Sequence, residues 1–183
     1  MDLLELIKTR QSVREYKPDS IDPRILDRCF EAARLAPSAC NSQPWSFIAI
    51  TQPGLIKQLS EQAFSGIYAL NSFAKKAPAI IVVITERSRY IACLGGLLRK
   101  TYYNLIDVGI AVEHFVLQAT AEGLGTCWIG WFNERAIHKI LNIPSRRRID
   151  VCLTVGWPVS NSIREKKRRS LDEIRSYNRY DNI

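Results

Sequence analysis

Histidine, methionine and paired cysteine are scarce in this chain, and each scarcity removes a class of chemistry. Of 183 residues, 2 are histidine and 1 is methionine. His114 and His138 each fall inside a helical pattern, where a lone imidazole reads as structural rather than as a hydrolase base. The five cysteines, Cys29, Cys40, Cys93, Cys127 and Cys152, are odd in number and scattered, with no C-x-x-C. That usage argues against a disulfide framework or a zinc site and fits a reduced, cytoplasmic chain. No apolar run reaches the ~18 residues of a membrane span. The first residues, Met1-Asp2-Leu3-Leu4-Glu5, carry an early acid and no basic stretch, unlike a secretory signal. G-x-S-x-G, H-E-x-x-H and the P-loop are absent. Gly123-Leu124-Gly125 lacks the third glycine of a dinucleotide fingerprint, which disfavours a Rossmann site. No repeat or linker divides the chain, so residues 1–183 read as one domain.

What is present is an ordinary globular composition with surplus positive charge. The net charge is +8. Part of it sits in Arg146-Arg147-Arg148 and Lys166-Lys167-Arg168-Arg169. Such runs suit a nucleic acid, an acidic membrane, a solvated face or the phosphate of one small ligand. No RRM, KH or zinc-finger motif supports the first of these.

Leu3, Leu4, Leu6 and Ile7 fit one face of a short helix, with Asp2 as N-cap. In the extended segment that follows, Arg10, Ser12 and Arg14 alternate and so point one way. Two guanidiniums and a hydroxyl on one side suit a phosphate or a developing anion, or else a solvated surface strand. Asp22-Pro23 starts a helix whose inner face is Ile25, Leu26, Cys29, Phe30 and Ala33. It ends before the stretch Pro37-Ser38-Ala39-Cys40-Asn41-Ser42-Gln43-Pro44-Trp45, where Pro44 is expected to keep Gln43 extended. This loop offers hydroxyls, carboxamides and backbone N–H groups without charge, which suits a flat polar heterocycle as well as a plain connection.

Residues 47–50 read as a strand, and Pro53 opens a helix with Leu55, Ile56 and Leu59 inward. Phe64 to Lys76 reads as a surface excursion. Ala79 to Thr85 is an unbroken apolar run, hence a strand buried on both faces. Residues 86–103 are ambiguous. Asn104 to Gly123 is a long helix, apolar nearly all round, with Leu105, Val108, Val112, Phe115, Val116 and Ala119 on one side. Such a helix is expected at the centre, shared with a second subunit. Thr126 to Gly130 is a short strand, Asn133 caps a last helix, and Asp150 to Gly156 is a strand with two unlike faces. The polar, basic tail after Pro158 either is disordered or lies across something. Strands mixed with helices, without a regular βαβ repeat, favour an α+β sandwich. A chain with polar loops and phosphate-type arginines but no evident acid, base or nucleophile fits an enzyme whose cofactor does the chemistry.

Several of these pieces, in this order, resemble the nitroreductase-like FMN-dependent oxidoreductases. They are Arg10-Gln11-Ser12-x-Arg14, the Pro37–Trp45 stretch, Lys76-Ala77-Pro78, Asp107-Val-Gly-Ile-Ala111, Gly123-Leu-Gly-Thr-Cys-Trp-Ile-Gly130 and Lys166-x-Arg168. The resemblance implies an α/β/α sandwich with a central, mainly antiparallel sheet. It also implies an intertwined homodimer with FMN at the subunit interface, and a tail over about residues 159–183 packing on the partner. Arg10, Lys166 and Arg168 match phosphate-binding positions, with Gln11 and Ser12 beside them. Arg14 matches a basic position near flavin N1 and O2. Pro37, Ser38, Ala39 and Asn41 match a loop that reaches the partner's flavin, and Gln43 a carboxamide on its ribityl or pyrimidine edge. Cys127, Trp128, Ile129 and Gly130 match the segment along the ring, with an N–H from Ile129 or Gly130 toward N5. Asn71 lies near a position that contacts the pyrimidine edge.

The implied reaction is ping-pong transfer of hydride from NADH or NADPH, through flavin N5, to a nitroaromatic, a quinone or a similar small acceptor. Neither nucleic acid nor membrane is an implied partner, and no metal and no catalytic side chain is implied. Three readings stand beside it: a flavin-storing protein of the same fold, a specialised dehalogenase or dehydrogenase, and a nucleic-acid binder. The chain departs from the family at 86–103, expected to help cover the substrate side. It departs also in the aromatic weight of Trp128, Trp131 and Phe132, at least one of which is expected in the core. Cys40 and Cys127 are expected as small buried hydrophobes rather than redox thiols.

Overall fold

The computed structural model describes residues 2–86 and 101–180. Its centre is the predicted apolar run, now strand β2 (Ala79–Thr85). β2 pairs on one side with β1 (Trp45–Ile50) and on the other with β4 (Arg148–Gly156), which in turn carries β3 (Gly125–Ile129). The order is β1-β2-β4-β3 and every pairing is antiparallel. Alternation along the strands sorts side chains to two faces. Ile81, Val83, Val151, Leu153 and Val155 pack with α2 (Pro23–Arg34) and α4 (Tyr103–Ala121). Ile80, Val82, Cys152 and Ile129 pack with α3 (Pro53–Ala63) and α5 (Glu134–Leu141). The result is the expected α/β/α sandwich.

The caps foreseen at Asp22 and Asn133 are made. Asp22 accepts from the Arg24 N–H and Asn133 from the Ala136 N–H. Leu105 and Ile106 on α4 are exposed in the single chain. Two expectations are corrected. Helix α1 (Leu3–Thr9) buries no residue, and the Asp2 carboxylate accepts no cap bond. The strand expected from Asp150 starts at Arg148, and its faces, though unlike, are both buried from Val151 onward. The surface excursion is an ordered 3₁₀ segment, Gly66–Lys76, with Ala74 buried beneath it. The ambiguous stretch and its expected covering role lie outside the described residues from 87 to 100, as does Cys93. Among the described residues no helix is long and apolar enough to cross a membrane.

One more element positions the site. Residues 12–17 form an arm across the ends of β3 and β4: Ser12 bridges Thr126, Val13 N–H donates to Thr126 O, and Lys17 N–H to Trp157 O. Tyr16 pins it, its hydroxyl 2.7 Å from Thr154 Oγ1. The arm lies so close that a Cβ on Gly125 would stand 2.6 Å from Val13 Cγ2. Gly125 is therefore glycine because the arm occupies the space.

Candidate functional site

The arm and the two residues before it bring Arg10, Gln11, Ser12 and Arg14 to one wall of a surface concavity of about 420 Å³. The C-terminal segment supplies the facing wall with Arg164, Lys166, Lys167 and Arg168. The tail is thus not loose here; it lies across the arm. Gln11 Nε2 donates to Ser162 O at 2.7 Å, and Arg164 N–H donates to Gln11 Oε1 at 3.2 Å. The Arg164 guanidinium also donates to Ser12 O, and Lys166 Nζ donates to the carbonyls of Ile7 and Lys8.

The electrostatics of this concavity are lopsided. Among the described residues, Arg10, Arg14, Arg164, Lys166 and Arg168 make no ion pair with a carboxylate within 4.0 Å. Burial, and then the charges of Arg10 and Arg168, push the Lys166 ammonium below its ordinary pKa. With Glu165 the one carboxylate among the lining residues and Glu113 near Arg10, positive charge is still in excess and favours an anion between the cations. A flavin phosphate, with nearly two charges, matches that donor set.

Next to the cations lies an aromatic and amide edge. The Arg14 guanidinium stands 5.8 Å from the centroid of Phe73. Asn71 Nδ2 donates to Trp131 O at 2.8 Å, Trp131 Nε1 donates to Ile67 O at 3.2 Å, and Tyr68 packs against Trp131 at 5.2 Å. These bonds tie the 3₁₀ segment to the end of β3, where Trp128 and Gly130 are exposed and Ile129 is buried. A Cβ on Gly130 would meet nothing within 4 Å, so its face is open. Of the three aromatics here, Trp128 and Trp131 are exposed and Phe132 packs on the core beneath α3 and α5. Cys127 is buried beside the arm; burial raises its thiol pKa, against the pull of Arg14, Ser12, Arg164 and Arg10. A protonated, buried thiol is a packing group, as expected.

The Pro37–Trp45 loop does not line the cationic concavity. It is held instead against α4, where the buried Asp107 accepts from Ala39 N–H at 3.1 Å and from Ser42 Oγ at 3.4 Å. Two expectations fail in it. Gln43 is not extended: its φ is +45°, in the left-handed region, as are Cys40 and Asn41. Hydrogen bonds outweigh the preference set by Pro44, because Gln43 N–H donates to Ser38 Oγ and its carboxamide donates to Asn41 Oδ1 at 3.0 Å. Cys40 is exposed rather than buried. The loop turns its backbone through left-handed residues, and the side chain at 40 falls on the outside.

With this geometry in place, comparison with known proteins decides the family. The sequence model of the nitroreductase family matches residues 7–157. The chain belongs to that family. A Methanothermobacter thermautotrophicus relative, provisionally named an NADH dehydrogenase/NAD(P)H nitroreductase, is 27% identical over 88% of this chain and 80% of its own length. An iodotyrosine deiodinase of Thermotoga neapolitana is also 27% identical, over 85% of this chain and 88% of its own. Among solved structures, an FMN-dependent nitroreductase from Clostridium difficile superposes with a TM-score of 0.74 at 25% identity, covering 97% of this chain and 99% of that one.

Two residues that matter to this nitroreductase-family site escaped the sequence reading. Arg164 binds the arm through Gln11 and Ser12, and only its place two residues before Lys166 hinted at it. Asp107, quoted above only as part of a motif, anchors the 37–43 loop, a role its place as an acid inside an otherwise apolar helix could have signalled.

Proposed function

We propose that this chain is an FMN-dependent oxidoreductase that acts as a homodimer, taking electrons from NADH or NADPH and passing them to a small acceptor such as a nitroaromatic or a quinone. The observation that carries the reading is the concavity in which cations from both ends of the chain converge, outnumbering the carboxylate of Glu165 and ion-paired to none among the described residues. FMN, when bound, supplies two-electron transfer between the nicotinamide and the acceptor.

The chain's own residues hold and tune that group. Arg10, Lys166 and Arg168, with Gln11, Ser12 and Arg164 around them, take the phosphate. Arg14, its position fixed by the arm and by Phe73, places positive charge beside the pyrimidine edge, where reduction develops negative charge. Asn71, tied to Trp131, offers an amide to the same edge. Cys127, Trp128, Ile129 and Gly130 back the ring, with open space beside the Gly130 Cα. Pro37, Ser38, Ala39, Asn41 and Gln43, shaped by Asp107, serve the partner's flavin. The tail beyond Val159 runs on to embrace the partner. The enzyme needs no nucleic acid, membrane or metal, and its cysteine usage fits the cytoplasm.

A second reading, a reductive dehalogenase, is supported by the deiodinase relative at 27% identity. Anaerobic addition of NADPH or NADH to the purified flavoprotein tests the main reading. Bleaching of the visible flavin band, reversed by a quinone, is expected. A flavin that neither nucleotide bleaches overturns the reductase and favours storage; reoxidation by iodotyrosine with iodide release, but not by quinone, favours the dehalogenase.

A further inference from the structure

A second cleft, of about 810 Å³, opens between the arm, one side of α3 with Glu61 on it, and the 3₁₀ segment, and it shares no lining residue with the cationic concavity. Its volume is that of a small-molecule site. Its floor is apolar, made by Tyr16, Pro53, Ile56, Phe64 and Pro78. Into this floor is set Ser60, which is 6% exposed and whose hydroxyl has no hydrogen-bond partner among the described residues. That hydroxyl is enclosed beneath the floor, so the surface the cleft presents there is apolar. At the rim stand Lys57, Lys75 and Lys76. Lys57 has a long contact of 4.0 Å with Glu61. Lys75 and Lys76 make no ion pair with a carboxylate among the described residues.

From these features we infer that the cleft is a second binding site, for an anion with an apolar body such as a medium-chain carboxylate. The aliphatic chain covers the Ile56–Phe64–Pro78 floor, where removing its methylenes from water favours binding, and the lysines hold the charge. Neither the cavity beside Trp45 and Phe47 nor the one beside His138, whose imidazole is already bonded to Ile143 O and Glu134, pairs an apolar floor with rim lysines free of ion pairs.

Titration calorimetry of the purified protein with decanoate tests this. Saturable one-to-one binding is expected, with decanol about tenfold weaker because it lacks the charge. Lys75→Glu, at an exposed position, is expected to weaken decanoate by about tenfold or more, and Ser60→Leu to abolish binding by filling the floor. The visible spectrum of bound flavin is expected to stay unchanged on saturation. No saturable binding, equal affinity for decanol and decanoate, indifference to Lys75→Glu, or competition between decanoate and FMN would each overturn the inference. Should Ser60→Leu fail to fold, Lys75→Glu decides alone. None of these readouts depends on turnover, so failure here and failure of the reductase reading are separate results.

Discussion

Lys166 illustrates how two distant parts of the chain become one site. Its ammonium takes the carbonyls of Ile7 and Lys8 at the end of α1, where the helix dipole is negative. That contact carries the C-terminal segment over Arg10 and crowds three cations. Replacing two of them, Arg10→Ala with Arg168→Ala, removes two charge-assisted contacts worth ~1.5–3 kcal/mol each. FMN affinity of the apoprotein is expected to fall at least ~100-fold, with the circular dichroism spectrum and melting point little changed. Unchanged flavin retention would contradict the phosphate assignment. At this scale the sequence was read well where spacing carried the information. Alternation in an extended segment puts Arg10, Ser12 and Arg14 on one side. It was read badly where hydrogen bonds decide, as at Gln43, whose left-handed backbone is set by Ser38 and Asn41 rather than by the proline after it. Arg164 escaped because its partners are a backbone carbonyl and a carboxamide far away in the chain.

Elements with strong local signals were legible: β2 from its apolar run, α2 and α5 from their caps. Helix α1 was legible as a helix but not in its packing, since its apolar face meets nothing buried within this chain. The arm, held by two isolated bridges, leaves no periodic trace beyond its alternation. Its packing makes a clean prediction. Gly125→Ala pushes a methyl against Val13 and should cost ~1–3 kcal/mol while shifting the arm and weakening flavin binding. Gly130→Ala, with open space at its Cβ, should leave stability within ~0.5 kcal/mol. Equal melting points for the two variants would show that the arm does not pack as described. A second prediction concerns the link between α2 and the end of α4. Arg28 donates twice to Glu122, at 2.7 and 2.6 Å, and holds its carboxyl at about 2, below the ordinary 4.5. A depressed acid stabilises the fold above its unfolded pKa and loses that contribution as pH falls through its folded one. Glu122→Gln should therefore cost up to ~1 kcal/mol at neutral pH, modest because Arg28 is half exposed. The deficit should shrink from pH 4.5 downward and vanish near pH 2, read as the difference in urea midpoints. A deficit independent of pH would mean that packing, not charge, is the link.

At the scale of the molecule, a run of exposed apolar groups stands out: Leu3, Leu4 and Ile7 on α1, with Leu105 and Ile106 on α4. The two helices are in contact, and these exposed apolar side chains on them are candidates for a subunit interface. The all-round apolar pattern of α4 pointed to this from the sequence. Leu4→Asp with Ile106→Asp should raise the dimer dissociation constant at least ~100-fold by sedimentation, each side chain being worth ~1.5–3 kcal/mol when buried. FMN should be lost in step with the dimer, because the Pro37–Gln43 loop is proposed to serve the partner's flavin. A monomer that keeps its flavin would separate the two. The central claim, that the converging cations hold FMN, is met most directly by the visible absorption of the purified protein and the identity of what it releases on denaturation. A yellow protein releasing FMN at one equivalent per chain is the predicted result. A colourless protein that cannot be reconstituted with FMN would contradict the account.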